Sequence, residues 1–196
     1  MVMIELNKDL QIFLLNTAKA AIEYYLKYNR KPNRYDLDIQ KYQNEKILNQ
    51  EFAAFVTLKQ NHELRGCIGS LVADRPLIDQ IIYQAVNAGF FDNRFQPLSD
   101  YEISSIDIEI SILSNPQPIN HFNEIRVGTD GIILMKNSKS ALFLPEVATE
   151  QGWDLETTLI NLCQKARLYD YDWMDNAKFE TFQSLKFNSS CCIKKH

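Results

Sequence analysis

The sequence lacks the features that would place it in a membrane or outside the cell. No run approaches the ~18–20 apolar residues that a membrane-spanning helix needs. Residues 1–6 have neither the basic region nor the apolar run of a signal peptide. The four cysteines show no regular spacing, so they do not form the framework of a disulfide-rich domain. We therefore expect a cytoplasmic protein with reduced thiols and no membrane contact.

An excess of one charge is also missing. The chain has 21 Lys and Arg against 25 Asp and Glu, a net charge of −4, and the basic residues are spread along it. Proteins that grip nucleic acid by charge usually carry a basic patch, so we expect no nucleic-acid partner. Glycine-rich nucleotide loops, a Gly-x-Ser-x-Gly elbow and a His-Glu-x-x-His motif are absent, and we predict no cofactor and no metal.

Apolar patterning supplies the fold prediction. Helical spacing predicts an N-terminal helix over residues 7–29, with Asn7 as its N-cap. Alternation predicts a hairpin over 52–58 and 64–68, then a helix beginning near Asp74 and Pro76 and ending near Gly89. The alternating isoleucines of 106–112 predict the next strand. The hydrophobic content of 45% is enough for a core.

The order strand, turn, strand, helix, strand then returns at an offset of about 77 residues. Strands are predicted at 132–135, 141–144 and 179–187, with a helix capped by Asp154. We expect one α+β domain over residues 1–196, built from half-units at about 50–115 and 128–187, with mostly antiparallel pairing. A groove between such halves is a common ligand site.

The segment Leu64-Arg65-Gly66-Cys67-Ile68-Gly69 is the most unusual part of a predicted strand. Glycine weakens a strand and packs no side chain, so two of them indicate a bulge, a positive φ angle or close approach to the backbone. We predict a binding site here that includes Gly66 and Gly69.

Cys67 is the candidate nucleophile. A neighbouring cation such as Arg65 favours the reactive thiolate, and His62 or His121 could act as the base if the fold brings one close. The simpler alternative is a buried cysteine in a strand, which is a common location for a free thiol.

Charged residues suggest the rest of the site. Arg65 and Arg94 could bind an anionic ligand, because a guanidinium matches carboxylate or phosphate; the alternative is structural ion pairing, with Asp92 as partner. Glu109, with Asp107 on the same strand face, could do acid–base work, or the face could simply be solvated. The tail residues Cys191, Cys192 and His196 are too few for a closed zinc site, and we expect a loose tail.

The Leu64–Gly69 segment also resembles the hallmark of the AMMECR family, called AmmeMemoRadiSam system protein A in microbes. Further matches follow in the same order along residues 10–187. They are Asp92-Asn93-Arg94-Phe95, Ile108-Glu109-Ile110-Ser111, Gly128-x-Asp130-Gly131, Leu144-Pro145-x-Val147, Trp153 and Cys163-x-Lys165-Ala166. Two positions depart from the family pattern: Glu146 stands where glutamine is usual, and Arg167 where glycine is usual.

The resemblance implies an α+β fold of two β-β-α-β-like repeats around a shared, curved, mostly antiparallel sheet. It also implies association with a Memo-like protein and a radical S-adenosylmethionine enzyme. It does not by itself imply a reaction. Two functions are consistent with it: a binding or substrate-presenting component that takes a partner or an anionic small molecule at the Leu64–Gly69 groove, and a Cys67-dependent enzyme in which Arg65 and Arg94 hold an anionic substrate.

Overall fold

The computed structural model describes residues 4–37, 39, 42 and 44–192, without the side chains of the last two. It separates into two compact units. The larger unit is Ile4–Leu113 together with the chain from Leu185 on, and the smaller is Ser114–Ser184. Among the described residues, no helix combines the length and hydropathy needed to cross a bilayer.

Hairpins alternate with helices, as the patterning predicts, although two helices, Pro145–Gln151 and Leu155–Lys165, follow the second hairpin where one was predicted. In chain order they are α1 (Lys8–Tyr28), β1 (Ala53–Gln60), β2 (Glu63–Ser70), α2 (Leu77–Phe90), β3 (Ile106–Leu113), β4 (Gln117–Ile119), β5 (Gly131–Lys136), β6 (Lys139–Phe143), α3 (Pro145–Gln151), α4 (Leu155–Lys165), β7 (Lys178–Phe182), β8 (Ser184–Asn188) and α5 (Ser189–Cys192). A short 3₁₀ helix, Lys46–Asn49, lies in the long connection after α1.

The strands form two four-stranded sheets with matching orders, β2-β1-β3-β8 and β6-β5-β7-β4. In each, the first strand of a hairpin lies between its partner and the strand that follows the helix. Every described register is antiparallel. The α+β class, the N-terminal helix and the antiparallel pairing are therefore confirmed, while the repeats carry one sheet each where the resemblance implied a shared one.

The prediction of a single last strand over 179–187 is wrong because the chain breaks at Gln183. The N–H of Gln183 donates to Ser114 Oγ (2.9 Å), and its carbonyl oxygen accepts from the Ser114 N–H (2.8 Å). The residues before this point form β7 and those after it form β8, which belong to different sheets. An apolar pattern alone does not reveal such a break, since both pieces bury phenylalanines.

Each unit has its own core. In the larger unit, α2 presents Ile81 and Ala85 to the sheet, and β3 turns Ile108, Ile110 and Ile112 inward, as its alternation predicts. The smaller core gathers the apolar face of α4 against β5 and β7, with Leu134, Leu159, Leu162, Trp173 and Phe179. Burial of these faces is the main stabilising term for both units.

Helix ends test the capping predictions. Asn7 and Asp154 are N-caps, accepting from Leu10 N (2.9 Å) and Thr157 N (2.8 Å), so both are confirmed. The helix predicted to begin near Asp74 and Pro76 begins at Leu77, and Asp74, which an N-cap role would suit, does not cap it but pairs with Arg75.

The predicted end of α2 near Gly89 is confirmed, because the helix ends at Phe90, but Gly89 is not its C-cap. A Cβ at Gly89 would lie 3.0 Å from Leu98, so this glycine provides packing room. Pro145 follows the strand predicted over 141–144 and opens α3, a helix that the patterning does not predict, because a proline suits the first turn of a helix.

Candidate functional site

Strand β2 carries the Leu64–Gly69 segment along one edge of its sheet. Leu58 pairs with Gly66 and Lys59 pairs with Leu64, so Arg65 is an extra residue and forms a bulge. This register confirms the bulge indicated by the glycines.

Neither glycine of this segment has the positive φ angle that we considered. They are needed for space instead. A Cβ on Gly66 would lie 2.2 Å from the Ala88 carbonyl oxygen, and one on Gly69 would lie 2.3 Å from the Phe55 ring. The backbone is thus approached closely by helix α2 and a neighbouring side chain, and a ligand-binding role for Gly66 and Gly69 remains a prediction.

Asp92, Arg94 and the main chain of Cys67 form the centre of the candidate site. The Arg94 guanidinium grips Asp92 through Nε–Oδ1 (2.9 Å) and Nη2–Oδ2 (2.7 Å). The Cys67 N–H donates to Asp92 Oδ2 (2.9 Å), and Arg94 Nη2 donates to the Cys67 carbonyl oxygen (3.2 Å). The structure therefore brings together three of the residues singled out in the sequence.

Burial divides this ion pair unevenly. The Asp92 side chain is 3% exposed and the Arg94 side chain 53% exposed. Hydrogen bonding from Arg94 holds the pKa of Asp92 well below its usual range, although burial acts against this, and hydrogen bonding to Asp92 raises the pKa of Arg94. The buried Asp92 carboxylate therefore fixes the Arg94 guanidinium, while about half of the Arg94 side chain remains exposed to solvent.

Cys67 is a partly exposed residue, and its thiol accepts a hydrogen bond from Thr57 Oγ1 (3.1 Å). Thr57 is the register partner of Cys67 on β1. His62 lies at the tip of the β1–β2 hairpin with a φ of 68°, and His121 accepts from the N–H of Asn123. Neither histidine is described as bonding to the thiol, and catalysis by Cys67 stays a prediction.

Arg65 does not join this group. Its guanidinium pairs with Glu102 at 2.6 Å (Nε–Oε1) and 3.2 Å (Nη2–Oε2). Hydrogen bonding from Arg65 lowers the pKa of Glu102 to about 2. Glu102 is not among the site residues predicted from the sequence. It also accepts hydrogen bonds from Ser99 N and Oγ. This Ser-x-x-Glu spacing is a recognisable capping pattern and is the sequence signal that points to Glu102.

Glu109 is a buried carboxylate between two cations, Lys59 (3.1 Å) and Lys186 (3.0 Å). It lies opposite Thr57, so Cys67, Thr57 and Glu109 form a row across three strands.

Asp107, on the same strand face as Glu109, accepts from Ser189 Oγ and from Ser190 N and Oγ at the start of α5. A freely solvated face is therefore wrong for this pair. An acid–base role remains a prediction.

The tail expected to be loose is ordered at its start, where Ser189–Cys192 form α5, and residues 193–196 lie outside the described residues. His196 and the side chains of Cys191 and Cys192 are not described, so the prediction that they hold no metal is untested. In the described part of the chain, no group of three or more His, Cys, Asp or Glu side chains is arranged to hold a metal ion.

Comparison with known proteins agrees with this fold. A protein of Methanothermobacter thermautotrophicus is 38% identical over 169 residues, covering 83% of this chain and 85% of that protein. A Saccharolobus islandicus protein is 36% identical over 198 residues, covering 95% and 84%. The crystal structure of an uncharacterized Pyrococcus horikoshii protein, PH0010, superposes with a TM-score of 0.78 at 32% identity, covering 91% and 90%. The family model described as AMMECR1 matches residues 15–187, and the chain belongs to the AMMECR1 family.

Proposed function

We propose that this AMMECR1-family protein is a binding or substrate-presenting component of a multi-protein system. The binding surface is the Arg94 surface, defined as the Arg94 guanidinium, the Cys67 thiol and the outer edge of β2. The observation that carries the proposal is the half-exposed Arg94, held by a buried Asp92 and by the Cys67 carbonyl. A guanidinium oriented in this way recognises a planar anionic group without first losing side-chain entropy.

The Arg94 surface favours a ligand that matches it in shape as well as in charge. Asp92 offsets the charge of Arg94, so a bare anion gains little Coulomb energy at this surface. Nε and Nη2 of Arg94 make hydrogen bonds, whereas Nη1 makes none with the described residues. Nη1 can therefore donate to a carboxylate or phosphate oxygen of a partner or of an anionic small molecule.

The resemblance supplies candidate partners, a Memo-like protein and a radical S-adenosylmethionine enzyme. We propose that they meet this chain in the cytoplasm, because the four cysteines lack the regular spacing of a disulfide framework. Nothing in this arrangement requires nucleic acid, and the net charge of −4 does not favour it.

The test compares two arginine variants of matched structure. Arg126 is 58% exposed and grips Asp130, which is 2% exposed, through Nε (3.0 Å) and Nη2 (2.6 Å), in the other unit. Arg94→Gln and Arg126→Gln therefore remove similar ion pairs.

Capture of the two purified candidate partners and of cell metabolites is expected to be lost with Arg94→Gln and retained with Arg126→Gln. Equal retention by both variants, or no capture by the wild-type protein, contradicts the proposal.

The second candidate is a Cys67-dependent enzyme that uses Arg94 to hold an anionic substrate. It is favoured by the partial exposure of Cys67 and by the hydrogen bond that its thiol accepts from Thr57. Alkylation by iodoacetamide across pH 5–9 tests it, because an activated cysteine reacts well below pH 8. A rate that follows an ordinary free thiol, unaffected by Thr57→Val, leaves the binding component as the function.

A further inference from the structure

The Asp92–Arg94 pair occupies the place that a neighbouring strand would take beside β2. The N–H and the carbonyl of one strand residue point the same way. At Cys67 the N–H meets Asp92 and the carbonyl meets Arg94, so both groups face away from β1. One acceptor and one donor from side chains therefore imitate the hydrogen bonds of an adjacent strand.

The hydrogen bonds with Asp92 and Arg94 cover the edge of β2 only at Cys67. Gly69 is two residues further along, so its N–H and carbonyl also point to the outer edge of β2. Among the hydrogen bonds of the described residues, none reaches either group on that side. Exposed apolar side chains follow immediately, Leu71 at 44% and Val72 at 64% exposure. An unprotected edge beside exposed apolar residues is a template for a further strand.

We infer that the C-terminal segment of a partner protein binds this edge in an extended conformation, antiparallel to β2, with its terminal carboxylate on Arg94. This inference rests on the proposed function and specifies its partner chemistry. Main-chain hydrogen bonds at Gly69 provide affinity, and apolar residues earlier in the segment contact Leu71 and Val72.

The direction follows from the order of residues along the edge. Leu71 and Val72 lie in the bend that follows the end of β2 at Ser70, and from this bend towards Cys67 the edge passes the free main-chain groups of Gly69 and reaches the guanidinium of Arg94. An antiparallel segment enters beside Val72 and reaches Arg94 last. It cannot continue, because Asp92 and Arg94 already occupy the edge at Cys67. A chain end fits this stop, and its carboxylate complements the free Nη1 donors.

The test uses a library of extended heptapeptides rich in Val, Ile and Thr with free C-terminal carboxylates, and the same library amidated. Binding is measured by fluorescence anisotropy with wild-type protein, Arg94→Gln and the matched Arg126→Gln. For the best free-carboxylate sequence, amidation is expected to weaken binding about tenfold or more, as loss of a charged hydrogen bond does. Arg94→Gln should remove that difference, and Arg126→Gln should preserve it.

A second readout follows the strand edge directly. Bound peptide should slow hydrogen exchange of the Gly69 amide, and N-methylation of alternate peptide residues should block binding only where the N–H faces β2. Equal affinity of amidated and free peptides, no binding by either library, or an unprotected Gly69 amide overturns the strand-addition proposal. If partner capture still depends on Arg94 in that case, the binding function stands and only this mode fails.

Discussion

Gly66 and Ala88 bring strand β2 and helix α2 together so closely that a Cβ on Gly66 would lie 2.2 Å from the Ala88 carbonyl oxygen. The obstructing atom belongs to the helix backbone, which cannot rotate away as a side chain can. This contact accounts for the glycine in the middle of the family hallmark without any ligand.

Gly66→Ala is therefore expected to destabilise the fold by about 2 kcal/mol or more, because α2 must shift away from the sheet. Gly89→Ala is the control on the same helix. Its Cβ meets the ends of two side chains, Leu98 at 3.0 Å and Leu58 at 3.8 Å, and alanine favours a helix, so its effect should be within about 1 kcal/mol of zero. Urea unfolding measures both, and equal stability of the two variants would contradict this account of Gly66.

Arg167 gives a prediction of opposite sign. It follows α4 with a φ of 58°, where Arg167 N donates to the Gln164 carbonyl and Leu168 N to the Cys163 carbonyl. This is a helix ending that favours glycine, the residue usual in the family at this position. Arg167→Gly should stabilise the protein by about 0.5–1 kcal/mol, since relief of the backbone strain exceeds the added flexibility of the unfolded chain.

The control is Arg167→Ala, which removes the side chain and keeps the strain. In thermal unfolding, the melting temperature of Arg167→Ala should be lower than that of Arg167→Gly. Indistinguishable melting temperatures for the two variants would show that the left-handed conformation costs nothing here.

The Arg65–Glu102 pair predicts an acid-sensitive contribution to stability. Hydrogen bonding lowers the pKa of Glu102 from 4.5 to about 2 in the folded protein. A depressed folded-state pKa means that the stabilisation is present above the unfolded value and disappears as pH falls towards 2. Both side chains are mostly buried, at 16% and 19% exposure, so on the order of 2 kcal/mol is expected.

Urea unfolding between pH 5 and pH 2.5 should show a shallower pH dependence for Glu102→Gln than for the wild-type protein. Only the slopes are compared, because the substitution also changes stability at neutral pH. Parallel slopes would mean that Glu102 titrates as it does in the unfolded chain.

Much of the fold was accessible from the sequence because it depends on local pattern. The alternation of Ile108, Ile110 and Ile112 and the caps at Asn7 and Asp154 were predicted and are confirmed. What the pattern could not supply was where strands separate, since the break at Gln183 depends on hydrogen bonds to Ser114, distant along the chain.

The sequence identifies most residues of the candidate site, but it does not show which of them pair with each other. The sequence leaves two roles open for Arg94, binding of an anionic ligand and pairing with Asp92, and the structure shows the pairing. Arg65 was grouped with them because it neighbours Cys67, yet the bulge and the proximity of Glu102 give it another partner. Choosing between two arginines for one carboxylate requires the three-dimensional path of the chain, which spacing in sequence does not contain.

The last prediction concerns Asp92, whose carboxylate accepts hydrogen bonds from both the edge of β2 and Arg94. It accepts from Cys67 N, Arg94 N, Arg94 Nε and Arg94 Nη2. Asparagine has the same shape, but its amide nitrogen must face one of these donors. Asp92→Asn is expected to cost about 2 kcal/mol, the loss of a buried charged acceptor reduced by the hydration still available to Arg94.

Asp130→Asn is the control, since Asp130 accepts from the same three nitrogen donors of Arg126, with a further hydrogen bond to the Gln183 side chain, and among the described residues it accepts from no strand N–H. Both variants should lose similar stability. Only Asp92→Asn should speed hydrogen exchange of the Cys67 amide beyond the change that its lower global stability explains, because only there is a strand N–H left without its acceptor. If Asp92→Asn accelerates exchange of that amide no more than its lower stability explains, Asp92 stabilises the protein generally and does not hold the edge of β2, on which the Arg94 surface depends.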